Sequence, residues 1–250
     1  MTLRTKTKTY FASDFHLGVP SQEESLIREK KIVRWLSQIQ EDAETIYLVG
    51  DIFDFWFEYK TAVPKGYARF FGKIAELTDA GIKVIFFTGN HDMWMFDYLE
   101  KELGVTVIKQ KIEIEINGKS FLIAHGDGLG PGDIGYKIIK AIFSNKVCIW
   151  FFARLHPNFG IGFANFLSRK SRNHTKKSDS FLGEDKEWLI TYAKEKLQEK
   201  HYDYFIFGHR HHPIDIDLKE NSHYINLGEW ISHFTYAQFD GEDLELKTFV

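Results

Sequence analysis

Five short segments carry side chains that could hold metal ions: Asp14-x-His16, Gly50-Asp51-x-x-Asp54, Gly89-Asn90-His91-Asp92, His125-Gly126-Asp127 and Gly208-His209-x-His211. Carboxylate, imidazole and amide oxygen together suit Mn, Fe or Zn, whereas an all-oxygen set would suit Mg or Ca. Two such ions about 3.5 to 4 Å apart need a ligand that reaches both, and a carboxylate offers two oxygens with little bulk. Taken singly, each Asp or His is a common turn or capping residue. As an ordered series in which every member follows a strand-like run, they are poorly explained by chance. Glycine beside several of them permits close approach of backbone and substrate. On extended backbone, Asp14 with His16 and His209 with His211 would share a face, because the strand period is two.

The elements that must position these residues follow a rhythm of strand, polar motif and helix. Thr7–Ser13 reads as a strand, and Ser21 with Glu24 forms a capping box behind Pro20. The helix it opens carries Leu26, Val33, Leu36 and Ile39 at helical spacing. Strands are predicted at Thr45–Val49 and Ile82–Thr88, with a helix over Tyr67–Asp79 between them. Val105–Ile108, Ile112–Ile116 and Phe121–Ala124 follow, the last two joined by the hairpin signal Asn117-Gly118. A helix near Glu184–Glu199 precedes the strand Tyr204–Phe207, and further strands complete the chain. Polar groups gathered at strand ends from distant segments can converge on one site. Residues 128–180 break the rhythm, helical and aromatic first and then basic. The expected organisation is an α/β sandwich of two mixed sheets flanked by helices, formed by 1–127 and 181–250, with 128–180 inserted as a helical cap.

The bulk composition excludes several classes. With 44% hydrophobic and 27% charged residues, the 250-residue chain belongs among folded globular proteins. A net charge of −3 supplies no basic field to draw it to nucleic acid. One cysteine, Cys148, rules out an internal disulfide framework and a thiolate cluster. Met1–Thr9 lacks the apolar run of a signal peptide, so a cytoplasmic protein is expected. The greasiest stretch, Ile138–Leu167, is broken by Lys140, Lys146, Arg154 and Pro157 and falls short of a bilayer span, though it could lie on a membrane.

The motif series resembles the calcineurin-like metallophosphoesterases over nearly the whole chain. The resemblance implies one cation held by Asp14, His16 and His211, a second by Asn90, His125 and His209, and Asp51 bridging them. Mn is the expected metal, with Fe or Zn as alternatives. It also implies that His91, paired with Asp92, contacts the phosphate and protonates the leaving group, a task suited to imidazole; Asp92 as a helix cap is the other reading. Within the superfamily, Gly50-Asp51-Ile52-Phe53-Asp54-Phe55-Trp56 and His125-Gly126-Asp127-Gly128-Leu129 with Asp133 and Tyr136 look like the bacterial UDP-2,3-diacylglucosamine pyrophosphatases of lipid A synthesis. Those enzymes release UMP and 2,3-diacylglucosamine 1-phosphate. By similarity, Asn90, His91, Asp133, Asn173, Lys176 and Lys177 would hold the substrate, a nucleotide-linked lipid met at the cytoplasmic face of the inner membrane. Many members carry Arg where this sequence has His91, so a sister enzyme acting on another phosphodiester, phosphomonoester or nucleotide-linked compound is the alternative. A metal-binding scaffold without turnover is a third reading, against which every ligand position is filled.

Phe143, Trp150, Phe151, Phe152, Phe159, Phe163 and Phe166 exceed what one amphipathic helix needs for its buried stripe. Core packing, an acyl-chain pocket or membrane-facing patch, and a partner surface all remain open at this point. The basic run Arg169, Lys170, Arg172, Lys176 and Lys177 reads as a solvated face or as a contact for phosphates.

Overall fold

Two sheets lie face to face, one six-stranded and one five-stranded. A computed structural model describes residues 7–130, 134–175, 181, 183, 184 and 186–250, with backbone alone at 134–136, 138–139 and 169–175. Strands β1 (Lys8–Ala12), β2 (Ala43–Val49), β3 (Lys83–Phe87) and β4 (Thr106–Ile108) run parallel in the first sheet. Helices α1 (Gln22–Ile39), α2 (Ala68–Asp79) and α3 (Tyr98–Leu103) connect them. The second sheet contains β5 (Ile112–Ile116), β6 (Lys119–Ala124), β7 (Tyr204–Phe207), β8 (Pro213–Asp217) and β9 (His223–Leu227), in the order β5-β6-β7-β9-β8. β10 (Thr235–Phe239) and β11 (Leu244–Thr248) return to the first sheet beside β1. Between β6 and β7 come α4 (Ile134–Phe143), α5 (Lys146–Phe152), α6 (Pro157–Thr175) and α7 (Trp188–Glu199).

Local chemistry accounts for the boundaries. Ser21 caps α1 by accepting from the Glu24 amide while its hydroxyl donates to the Glu24 carboxylate, so the predicted N-cap forms, with the return contact made through the Ser21 hydroxyl in place of its amide. Asn117 and Gly118 take φ of 49° and 77°, the paired left-handed values of a tight hairpin turn between β5 and β6. Along β1, Phe11 faces the second sheet while Tyr10 and Ala12 face the helices. Phe11, Tyr47, Phe121, Ile206 and Phe239 fill the space between the sheets. Trp35, Leu36 and Ile32 of α1 and Phe70 and Ile74 of α2 cover the outer face of the first, and Leu189 and Ala193 of α7 cover that of the second. The arrangement is the expected sandwich of two mixed sheets flanked by helices.

One consequence sets up the site. β1, β2 and β3 are mutually parallel, as are β6, β7 and β9, and all the motif residues follow the carboxyl ends of these strands. The loops leaving the two sheets therefore meet at one end of the sandwich.

Candidate metal centre

Among the described residues three groups of candidate ligand atoms form where those loops meet; His16, Asp54 and His91 make up one, and the other two share a residue. Of these two, Asp14, His16, Asp51 and His211 make the first, and Asp51, His125 and His209 the second, so Asp51 belongs to both. The Nε2 atoms of His16 and His211 face each other at 3.0 Å, and Asp14 Oδ1 lies 3.6 and 3.2 Å from them. Asp51 Oδ2 is 3.8 Å from His16 Nε2 and 3.4 Å from His125 Nε2. Asn90 Oδ1 joins the second cluster 3.2 Å from His125 Nε2.

The ligand pairs do not converge by strand alternation, as their spacing predicts. Asp14 and His16 lie beyond the end of β1, and His209 and His211 beyond β7, all with left-handed φ between 44° and 67°; Asp51 has φ 52°. Such backbone is strained for residues with a Cβ, and the surrounding structure must over-determine it. Cross-loop hydrogen bonds do so. The amides of Asp14 and His16 donate to the Gly50 and Asp51 carbonyls, and the Gly208 amide donates to that of His125. The second oxygen of each central carboxylate is used as well: Asp14 Oδ2 accepts from the His209 amide at 3.0 Å, and Asp51 Oδ1 from the His91 amide at 2.9 Å. Glycine is required at three of these crossings, Gly50 among them, where a Cβ would stand 2.5 Å from His125 Nδ1. A Cβ on Gly89 would stand 2.2 Å from Asp51 Oδ1, and one on Gly208 would stand 2.6 Å from Asp14 Oδ2.

Residues without a sequence signal hold the frame. Arg28, buried on α1, donates to the His16 and Val19 carbonyls. Arg210, between two of the His residues, makes a buried bidentate pair with Glu187 at 2.8 and 2.9 Å. Asn226 of β9 donates to the Gly208 carbonyl at 2.6 Å. Imidazoles are also oriented from behind: His125 Nδ1 donates to the Val49 carbonyl, leaving Nε2 for a ligand, and His16 Nδ1 lies 3.6 Å from Asp54 Oδ1.

The donor set draws positive charge. Burial disfavours ionised Asp14 and Asp51, yet imidazoles surrounding them hold both carboxyls below the usual range. Burial alone would lower His125, but Asp51, Asp14 and Asp127 outweigh it and hold it well above its ordinary value. His209, by contrast, is pulled down to about 4 by burial and by His125. Among the described residues no donor meets the fully buried Asp14 Oδ1 in hydrogen-bonding geometry. Cations would satisfy this oxygen, the facing imidazole nitrogens and the shared Asp51 together, so these residues fit a dinuclear centre.

A family model described as calcineurin-like phosphoesterase matches residues 7–213. A UDP-2,3-diacylglucosamine hydrolase of Porphyromonas gingivalis is 39% identical over 97% of this chain and 98% of its own. One of Proteus mirabilis is 27% identical over 96% and 98%. Among solved structures, an archaeal phosphodiesterase is similar at 15% identity over 97% of this chain and 99% of that one, with a TM-score of 0.48. The chain belongs to the calcineurin-like phosphoesterase family. It is a hydrolase, and its family implies the divalent ions for which the clusters are suited.

For this phosphoesterase, the predicted pairing of His91 with Asp92 is corrected. Asp92 is fully buried and faces away from the ring: Oδ1 accepts from Gly89 N at 2.7 Å, and Oδ2 from Ile52 N and Phe53 N at 2.8 and 3.3 Å. Nor is it a helix cap, since the next helix, α3, begins at Tyr98. It braces the Asp51 loop against the Asn90 loop. Burial and the Asp51 charge push its carboxyl up to about 7, against the pull of those amide donors. The partner of His91 is Asp54, whose carbonyl lies 3.0 Å from Nδ1, while Ser168 Oγ of α6 lies 3.3 Å from the same atom and donates to Asp54 Oδ2. Asp54 was visible in its motif, but Ser168 carried no signal. Of the residues expected to bind substrate, Asp133, Lys176 and Lys177 lie outside the described residues, and Asn173 falls in α6 with its backbone alone described.

The aromatic segment divides. Phe152 packs on Phe57 and Trp94 with ring centroids 4.7 and 5.3 Å apart, and Phe143 lies 5.2 Å from Trp94. Trp150, Phe151, Phe159, Phe163 and Phe166 are between 47% and 63% exposed, more than core packing accounts for. A cavity of about 480 Å³ opens between α4–α6 and the body, with Asn90, His91 and Asp54 at its polar edge and Trp94, Phe152 and Leu167 among its walls.

Proposed function

We propose that this enzyme hydrolyses the pyrophosphate bond of UDP-2,3-diacylglucosamine to give UMP and 2,3-diacylglucosamine 1-phosphate, as a step of lipid A synthesis. The observation that carries the reading is the apolar cavity whose edge is formed by Asn90 and His91 of the metal-end loop. Relatives spanning nearly the whole chain and named for this activity support it. Each methylene removed from water is worth about 0.8 kcal/mol, so some five buried acyl carbons contribute roughly 4 kcal/mol, close to a thousandfold in affinity. A small phosphodiester would leave that cavity unused.

On this reading Asp14, His16 and His211 hold one ion, Asn90, His125 and His209 the other, and Asp51 bridges. Mn suits the mixed oxygen and imidazole donors, with Fe and Zn close behind. When bound, such ions neutralise phosphate charge and activate water. His91 is fixed by donation from Nδ1 to the Asp54 carbonyl, which leaves Nε2 as the ring atom for a phosphoryl oxygen. It contacts a phosphoryl oxygen there and stabilises the charge that develops on it in the transition state. Residues 128–180 serve as a cap for the acyl chains, and by similarity Asp133, Asn173, Lys176 and Lys177 are the substrate contacts for sugar and phosphate.

Beyond the cavity, the exposed rings of Trp150, Phe151 and Phe159, with Arg154 lying over the Trp150 ring, suit peripheral contact with the cytoplasmic face of an anionic membrane. No helix among the described residues is long and apolar enough to cross a membrane. Mass analysis of products from UDP-2,3-diacylglucosamine and purified Mn-loaded protein tests the proposal. UMP and the acylated sugar phosphate are expected; intact substrate, beside turnover of a chromogenic phosphodiester, would move the assignment to a sister enzyme with another substrate.

A further inference from the structure

A second cavity, of about 490 Å³, lies on the other side of Trp94 from the apolar one. Trp94, Met93, Phe143 and Ile149 line both, so they form a shared wall. The wall is closed by donation from Trp94 Nε1 to the Phe143 carbonyl at 2.9 Å. The two spaces differ in chemistry. Lys109, Lys140 and Lys146 line the second together with the hydroxyl residues Thr88 and Ser144, and among the described residues that line it none is acidic. Lys140 also reaches the Asp127 carboxylate just after His125, which ties this side of the cavity to the metal-end loops.

Both cavities begin at one turn. Gly89 lines the second, while Asn90 and His91 line the first. A substrate with its reacting phosphorus at this turn would send one half to either side. Acyl chains match the apolar space, and placing them among three ammonium groups would cost the desolvation of those charges. An anionic half matches the lysines. Phe96, 36% exposed with Lys109 Nζ 5.4 Å from its ring centroid, offers a π-face on which a planar base can stack.

We propose that the lysine-lined cavity is the site for the nucleoside monophosphate half of the substrate, with Lys109 and Lys146 toward its phosphate and ribose and Phe96 under its base. This rests on a nucleotide-linked substrate, but the test does not depend on lipid turnover. Titration calorimetry of UMP into the Mn-loaded protein compares the natural chain with Lys109→Ala/Lys146→Ala and with Phe96→Ala, each checked for an unchanged circular dichroism spectrum. Inorganic phosphate, which needs the metal centre alone, serves as the control. The expected result is a UMP Kd raised tenfold or more in the lysine pair and about threefold in Phe96→Ala, with the phosphate Kd unchanged. An unchanged UMP Kd, or UMP and phosphate weakened in parallel, would overturn the proposal. So would selective loss of 2,3-diacylglucosamine 1-phosphate binding in the lysine pair, since the cavity would then hold acyl chain. Failure of the natural chain to cleave the lipid while UMP still binds through these residues would count against the lipid substrate and leave the nucleotide site standing.

Discussion

At the metal end, the facing ligand atoms of Asp14, His16, Asp51, His125 and His211 each lie within 3.4 Å of another, and strained backbone is held by amides from neighbouring loops. The α4–α6 segment is its opposite: Trp150, Phe151, Phe159 and Phe166 point their rings to solvent, and only an inner row including Phe152 packs on the body. A rigid frame suits a reaction that needs ligand atoms fixed to within a fraction of an ångström. Loosely covered apolar surface suits contact with something greasy and variable in shape. On the proposed function, the difference means that chemistry and recognition are divided between two parts of one cleft, and substitutions should divide in the same way.

The largest effect is expected at the shared ligand. Asp51→Ala should lower turnover by about a thousandfold or more, because it removes the group common to both clusters. Elemental analysis should show loss of bound metal. Near-normal turnover and metal content would break the bridging assignment.

Next comes His91, which on the proposed reading touches substrate without holding the frame. His91→Ala should cost about a hundredfold in turnover with metal content intact. His91→Arg should keep appreciable activity on the pyrophosphate substrate, because guanidinium neutralises charge and a phosphate leaving group needs little protonation. An equal loss in both variants would point to a leaving group that must be protonated, as an alkoxide is.

Smaller again is a stability effect within the frame. Glu187→Gln leaves the buried Arg210 charge without its carboxylate and should destabilise the fold by about 3 kcal/mol, measurable by urea unfolding. A shift below about 0.5 kcal/mol would mean the pair adds little to the loop that carries His209 and His211. The smallest effect belongs to the outer surface of the helical segment. Trp150→Ser/Phe151→Ser should leave turnover of a chromogenic phosphodiester unchanged and lower sedimentation with anionic vesicles by about tenfold. Unchanged vesicle binding would remove the membrane from the account.

Much of this contrast was legible in the sequence, for physical reasons that differ along the chain. Each ligand sits in a short motif after a strand, and parallel strands must bring such ends together, so the fold and its metal clusters could be anticipated. How the pairs converge could not, since left-handed φ at Asp14, His16, His209 and His211 depends on amides from other loops. Asp92 misled for a related reason: its position next to His91 says nothing of which way its side chain turns. Ser168 and Arg28 reach the site across long sequence separations without any motif, and the aromatic run could be divided into inner and outer rings only once the helices were placed.

The most direct test asks whether one substrate spans both regions. Comparing kcat/KM for UDP-2,3-diacylglucosamine with that for UDP-N-acetylglucosamine, which lacks the long chains, should show a preference of a hundredfold or more for the acylated compound. Ala164→Trp, which fills the apolar cavity, should collapse that preference while sparing hydrolysis of a small phosphodiester. Equal kcat/KM for the two compounds, or a preference that survives Ala164→Trp unchanged, would contradict the division of labour between metal centre and helical segment.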